Sequence, residues 1–163
     1  MARQRAGSKS KRQEATRPQL HLDHFLPHRL SVLSNTVSRA VSGEYAERFG
    51  LSIPEWRIIA VLQYFPGASS GELVARTGMD NVAVSRAVNH LVRMGLITRA
   101  TRSSDRRRTV LDLSPSGNKV YDEITPLALR YESRLLQGLS SDERGQLDSI
   151  LDKLLKQAEQ LGS

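Results

Sequence analysis

The chain contains no cysteine, which removes disulfides, thiolate metal sites and thiol redox sensing together. It has no apolar run of the roughly 18 residues or more that a membrane-spanning helix requires. Its N-terminus is basic but lacks the apolar core of a secretory signal, so a cytoplasmic protein without membrane contact is expected. It also lacks a glycine-rich phosphate loop, a nucleophile elbow and any Ser-His-Asp context, which argues against an enzyme and against a bound cofactor. At 163 residues one domain is expected, large enough to bury a core without covalent staples.

Positive charge is what the chain has instead. The net charge is +7, and it is unevenly placed: residues 1–17 hold six Lys/Arg and one Glu, while residues 79–110 hold seven Arg and two Asp. Each stretch therefore carries +5 and the rest of the chain −3, the footprint of a protein that meets a polyanion. The first stretch has no apolar cluster, and residues 1–19 read as a disordered basic tail that adds nonspecific phosphate contacts or serves only as a solubilising extension.

The second stretch includes ITRATRSSDRRRTVLDLS, residues 97–114. Ile97, Arg99 and Thr101 alternate with Thr98, Ala100 and Arg102, and a β-branched, apolar run returns from Val110 to Leu113. The connection, with Arg102, Asp105, Arg106, Arg107 and Arg108, is too long and too charged for a two-residue turn. The pattern predicts a basic β-hairpin with a projecting tip, able to reach phosphates or a minor groove. An ordinary solvated turn is the alternative, but three consecutive arginines without an anionic partner repel one another.

Helices are expected on both sides. Leu26, Leu30, Leu33, Val37, Ala40 and Val41 recur at helical spacing, with Pro27 in the first turn and Gly50 as terminator. Ser52-Ile53-Pro54-Glu55 has the form of a capping box, opening a second helix that Pro66-Gly67 stops. Ser69 and Glu72 repeat that spacing for a short third helix ending near Gly78, and Asp80 is the candidate N-cap of a fourth. On the fourth, Val84, Ala87, Val88 and Leu91 share one face, which turns Val82, Arg86, Asn89 and Arg93 outward with Asn81 and Ser85 nearby. Arg can pair with guanine, Asn with adenine, and an exposed Val can touch a thymine methyl. A short helix, a tight turn, a longer helix and a basic hairpin together predict a winged helix-turn-helix: a mainly α fold with a small β-wing. After the wing, Ser114-Pro115 starts a helix with a bend near Pro126, and Ser140 and Glu143 cap a last one. Its wide apolar stripe, Leu147 to Leu161, implies packing against a second copy of the chain.

Over residues 22–161 the chain resembles the MarR family of bacterial transcriptional regulators. The resemblance rests on LSIPEWRIIAVL, on SSGELVARTGMDNVAVSRAVNHLVRMGLITR, and on SSDRRRTVLDLSPSG, where Asp105, Arg107, Leu113 and Ser114 fit the family's wing pattern. It implies that Arg107 enters the minor groove, that Asp105 orients nearby basic groups, and that Ser85-Arg86 contacts the major groove. It also implies a homodimer on double-stranded DNA, with a helical dimerisation region (residues 20–50 and 115–163) and a DNA-binding lobe (51–114). The family's effector pocket lies between these regions, which makes His28, Arg29, Ser34, Arg39, Trp56 and Arg57 candidate ligand contacts. FLPHRLSVLSNTVSRA is further similar to a subgroup linked to breakdown of hydroxycinnamate-type aromatics. The expected effector is accordingly an aromatic carboxylate or its CoA thioester. A ligand-independent architectural DNA-binding protein is the competing reading. His21, His24 and His28 would line one side of a continuous helix and could hold zinc or nickel, but Pro27 argues against that continuity, and no metal is expected.

Overall fold

The structure, a computed structural model, describes residues 19–101 and 109–162. The basic tail up to residue 18 and the wing-tip residues Arg102, Asp105, Arg106, Arg107 and Arg108 lie outside the described residues. The chain divides into two compact units, residues 1–35 and 36–163.

In the first unit a single 3-10 turn, Leu22–His24, is closed by Phe25 in an extended conformation. Helix α1 (Leu26–Phe49) begins immediately afterwards and continues into the second unit. Pro27 sits in its first turn, where a missing N–H costs nothing. This break separates the histidines: His21 precedes the 3-10 turn, His24 ends it and His28 belongs to α1, so the three do not share one helix face. Leu20, Leu22, Phe25, Leu26, Leu30, Val32 and Leu33 are all exposed.

The second unit contains the rest of α1, then α2 (Ile53–Tyr64), α3 (Ser70–Thr77), α4 (Asn81–Arg93), β1 (Ile97–Thr101), β2 (Thr109–Leu113), α5 (Pro115–Leu135) and α6 (Ser141–Leu161). The starts are set by local chemistry. Ser52 N–H donates to Glu55 Oε2 at 2.6 Å. Ser69 and Glu72 exchange both bonds of a capping box, as do Ser140 and Glu143. Gly78, at φ 65°, turns the chain from α3 to α4 in a conformation that side chains other than glycine resist. Asp80 Oδ1 then accepts Ala83 N–H at 2.7 Å to open α4.

The core collects Tyr45, Leu51, Ile58, Ile59, Leu62, Leu73, Val84, Ala87, Val88, Leu91, Ile97, Leu111 and Ile124. Helices α2, α3 and α4 thus meet the hairpin and α5 around one apolar centre. The hairpin pairs antiparallel, Ile97 opposite Leu113 and Thr101 opposite Thr109. The loop after α2 joins as a short third rung, through Gly67 N–H to Leu111 O and Leu111 N–H to Ala68 O, both 3.0 Å.

Ser114 ties the hairpin to what precedes and follows it. Its N–H donates to Leu96 O at 3.0 Å, its hydroxyl donates to Gly95 O at 2.6 Å, and its Oγ accepts Gly117 N–H at 3.0 Å. The approach is so close that a Cβ on Gly117 would stand 2.0 Å from Leu96 O. Helix α5 stays continuous through Pro126. Helix α6 buries none of its residues, and Leu147, Ile150, Leu151, Leu155 and Leu161 are exposed. No helix among the described residues is long and apolar enough to cross a membrane.

Candidate nucleic-acid interface

Helix α4 divides along its length. Val84, Ala87, Val88 and Leu91 are buried against α2 and α3, and this fixes the helix's rotation about its axis. The opposite face therefore presents Asn81, Val82, Ser85, Arg86, Asn89 and Arg93, every one of them exposed. Val82 keeps 59% of its surface open.

Two polar contacts hold this helix that residue spacing did not reveal. His90, one position from Asn89, meets Glu55 of α2: Nδ1 and Oε1 are 2.5 Å apart. Glu55 is 7% exposed. Burial pushes its carboxyl up, but hydrogen bonds from Ser52 and the contact with His90 outweigh that and leave it below the usual carboxylate range. The second contact comes from the wing. Arg99 of β1 donates to Asn89 Oδ1 at 2.7 Å. Arg86, His90 and Arg93 line one wall of a cleft of about 440 Å³ whose other wall holds Ser52, Pro54 and Glu55. With Arg99 added, Arg86 and Arg93 make the outward side of α4 a cationic strip, and Arg93 lies in its last turn where the helix dipole favours positive charge.

The candidate effector residues fall in two places. His28, Arg29 and Ser34 lie on the part of α1 in the first unit; His28 is half-buried and the other two are exposed. In the second unit, Trp56 is half-buried and packs against the core, 5.8 Å from the Tyr121 ring and 6.0 Å from that of Tyr45. Arg57 donates to Ser38 Oγ at 3.5 Å. Burial raises the Tyr45 phenol above its ordinary value, and the nearby Arg57 charge partly opposes this. Arg39, the neighbour of Ser38, is exposed. Tyr45, Tyr121 and Ser38 were thus missed from sequence; an apolar stripe does not say which aromatic rings will meet across helices. Among the described residues no group of three His, Asp or Glu side chains could hold a metal ion.

A helix-turn-helix whose second helix bares a polar, cationic face, followed by a hairpin tied to it, is a winged helix-turn-helix DNA-binding protein. Residues 49–108 match the MarR family. A MarR/EmrR family transcriptional regulator from Acinetobacter sp. ADP1 superposes with a TM-score of 0.81 at 29% identity, covering 86% of this chain and 99% of that one. The HTH-type transcriptional regulator BilQ of Clostridium symbiosum is 28% identical over 113 residues, 69% of this chain and 78% of BilQ. Bordetella bronchiseptica BpsR, whose DNA binding is regulated by 6-hydroxynicotinic acid, shares the fold at 20% identity, with a TM-score of 0.73 over 84% of this chain and 97% of that one. The family match and the structural likeness agree: the chain is similar to MarR-family proteins, which are DNA-binding transcriptional regulators and not enzymes.

Proposed function

We propose that the chain is a repressor that binds a palindromic operator as a homodimer and is released by an aromatic carboxylate or its CoA thioester. The observation that carries the DNA half is the division of α4 into a buried apolar face and an exposed, mainly polar one. In this reading Asn81, Val82, Ser85, Arg86, Asn89 and Arg93 enter the major groove. The wing-tip residues Arg102, Arg106, Arg107 and Arg108 approach the flanking minor groove, Arg107 entering it and Asp105 orienting its neighbours.

The dimer forms through the helical regions, residues 20–50 and 115–163, with residues 51–114 as the DNA-binding lobe. The bare leucine and isoleucine row of α6 supports this, since a monomer would leave it in water. The effector half is supported by an arginine beside aromatic rings: Arg57 can grip a carboxylate while the half-buried Trp56 or Tyr121 stacks on a ring. Arg39 is a further candidate contact in this unit, and His28, Arg29 and Ser34 are kept as candidates on the family resemblance alone. An effector with higher affinity for the DNA-incompetent state than for the bound one shifts the population off the operator.

Selection of binding sites from randomised duplexes tests the first half. A repressor recovers one palindrome with a large specificity ratio, and an architectural protein recovers none. Release of that duplex by hydroxybenzoic or hydroxycinnamic acids, or by their CoA thioesters, tests the second. Retention of DNA with every member of the series rejects the proposed effector class.

A further inference from the structure

The contact between Arg99 and Asn89 bears on which base the protein reads. Arg99 occupies the same face of β1 as the buried Ile97, two residues away, and its guanidinium reaches the Asn89 side-chain oxygen at 2.7 Å. Arginine has donors only, so the asparagine must offer it the oxygen; the partner fixes the orientation of the amide. The free end of Asn89 is then its NH₂ group.

An asparagine that reads adenine uses both ends, accepting from N6–H with its oxygen while donating to N7. Here the oxygen already accepts from Arg99, and although its second lone pair is open, the adjacent guanidinium charge repels the hydrogens of an approaching amino group. What remains on offer is an amide NH₂ and the unused guanidinium N–H groups, which are all donors. The major-groove edge with two adjacent acceptors and no donor is that of guanine, N7 and O6.

We infer that Asn89 and Arg99 form a donor-only reading pair that selects guanine over adenine, with Arg99 as the positioning residue that sets the specificity of Asn89. The inference rests on the reading of α4 as the base-contacting helix and deepens it. It departs from the expectation that Asn89 pairs with adenine.

The test is site selection from randomised duplexes with the full-length chain, followed by anisotropy titration of single-base variants at one fixed salt concentration. Wild type should prefer guanine at one symmetric position of the half-site. Arg99→Met keeps the aliphatic stem but frees the Asn89 oxygen, so preference at that position should move toward adenine by about fivefold or more. Asn89→Asp keeps a partner for Arg99 but removes the NH₂ donors, and should abolish the guanine preference there. Thermal melts of both variants identify any that fail to fold, and the other then decides. A wild-type preference for adenine at the position these variants alter overturns the inference. So does an Arg99→Met protein that recovers the same motif with uniformly weaker binding. Arg86→Ala separates the two levels. If it changes preference at another position while Arg99→Met changes none, the reading pair fails and the base-reading helix stands. If neither variant changes any position, the base-reading role of α4 fails with it.

Discussion

Glu55 and His90, thirty-five positions apart in the chain, stand 2.5 Å from one another across the joint between α2 and α4. The same carboxylate accepts Ser52 N–H at 2.6 Å, so one buried group both caps α2 and anchors the helix that faces DNA. Because its hydrogen bonds hold Glu55 below the usual carboxylate range, the folded state binds its proton less readily than the unfolded chain does. The stabilisation is complete above the ordinary carboxylate value and is lost as pH falls through the lower, folded one. Thermal midpoints measured between neutral pH and pH 3 should fall at the acid end for wild type. The drop should be smaller for Glu55→Gln, which should already be about 1–2 kcal/mol less stable at pH 7.

Gly117 lies against the Leu96 carbonyl with no room for a methyl group. Gly117→Ala must push the start of α5 away from the base of the wing and break the Ser114 bonds to Gly95 and Gly117. A loss of about 3 kcal/mol or more is expected in urea denaturation. Gly145→Ala meets nothing within 4 Å in the interior of α6. It should be stabilising by about 0.5–1 kcal/mol.

The exposed row on α6 offers a direct test of assembly. Ile150 and Leu155 are 52% and 62% exposed, so charging them costs little inside a single chain. The pair Ile150→Glu and Leu155→Glu should leave circular dichroism unchanged yet convert a dimer to a monomer in sedimentation, and operator affinity should fall with it. A monomeric wild-type protein would contradict the assignment of this face.

Trp56 is the sole tryptophan of the chain, and it stacks near Tyr121 and Tyr45. An aromatic acid seated beside it should quench or shift its emission in a saturable way. Arg57→Met should weaken that binding by about tenfold through loss of a charge-assisted bond. Quenching unaffected by Arg57→Met would place the acid elsewhere.

Much of the fold was legible because its determinants are local. The Ser69–Glu72 and Ser140–Glu143 boxes, the Asp80 cap and the buried set Val84, Ala87, Val88 and Leu91 all follow from spacings of three and four, and these are where the structure has them. What spacing could not supply were the contacts between distant elements. Glu55 read only as a capping residue, and nothing in its neighbourhood pointed to His90. Asn89 read as a free amide because Arg99 lies on another element. The histidines were the reverse case: helical spacing brought His21, His24 and His28 together on paper, and the extended Phe25 separates the first two from the helix of the third.

Helix α4 and the wing together are proposed to read DNA. The most direct test is anisotropy titration of the selected duplex, at one fixed salt concentration, with wild type, Arg86→Ala and Arg107→Ala. Arg107→Ala should weaken binding, and Arg86→Ala should both weaken it and relax base preference at one half-site position, by about 1–3 kcal/mol of discrimination. Binding and preference unchanged in both variants would mean that neither α4 nor the wing reads DNA.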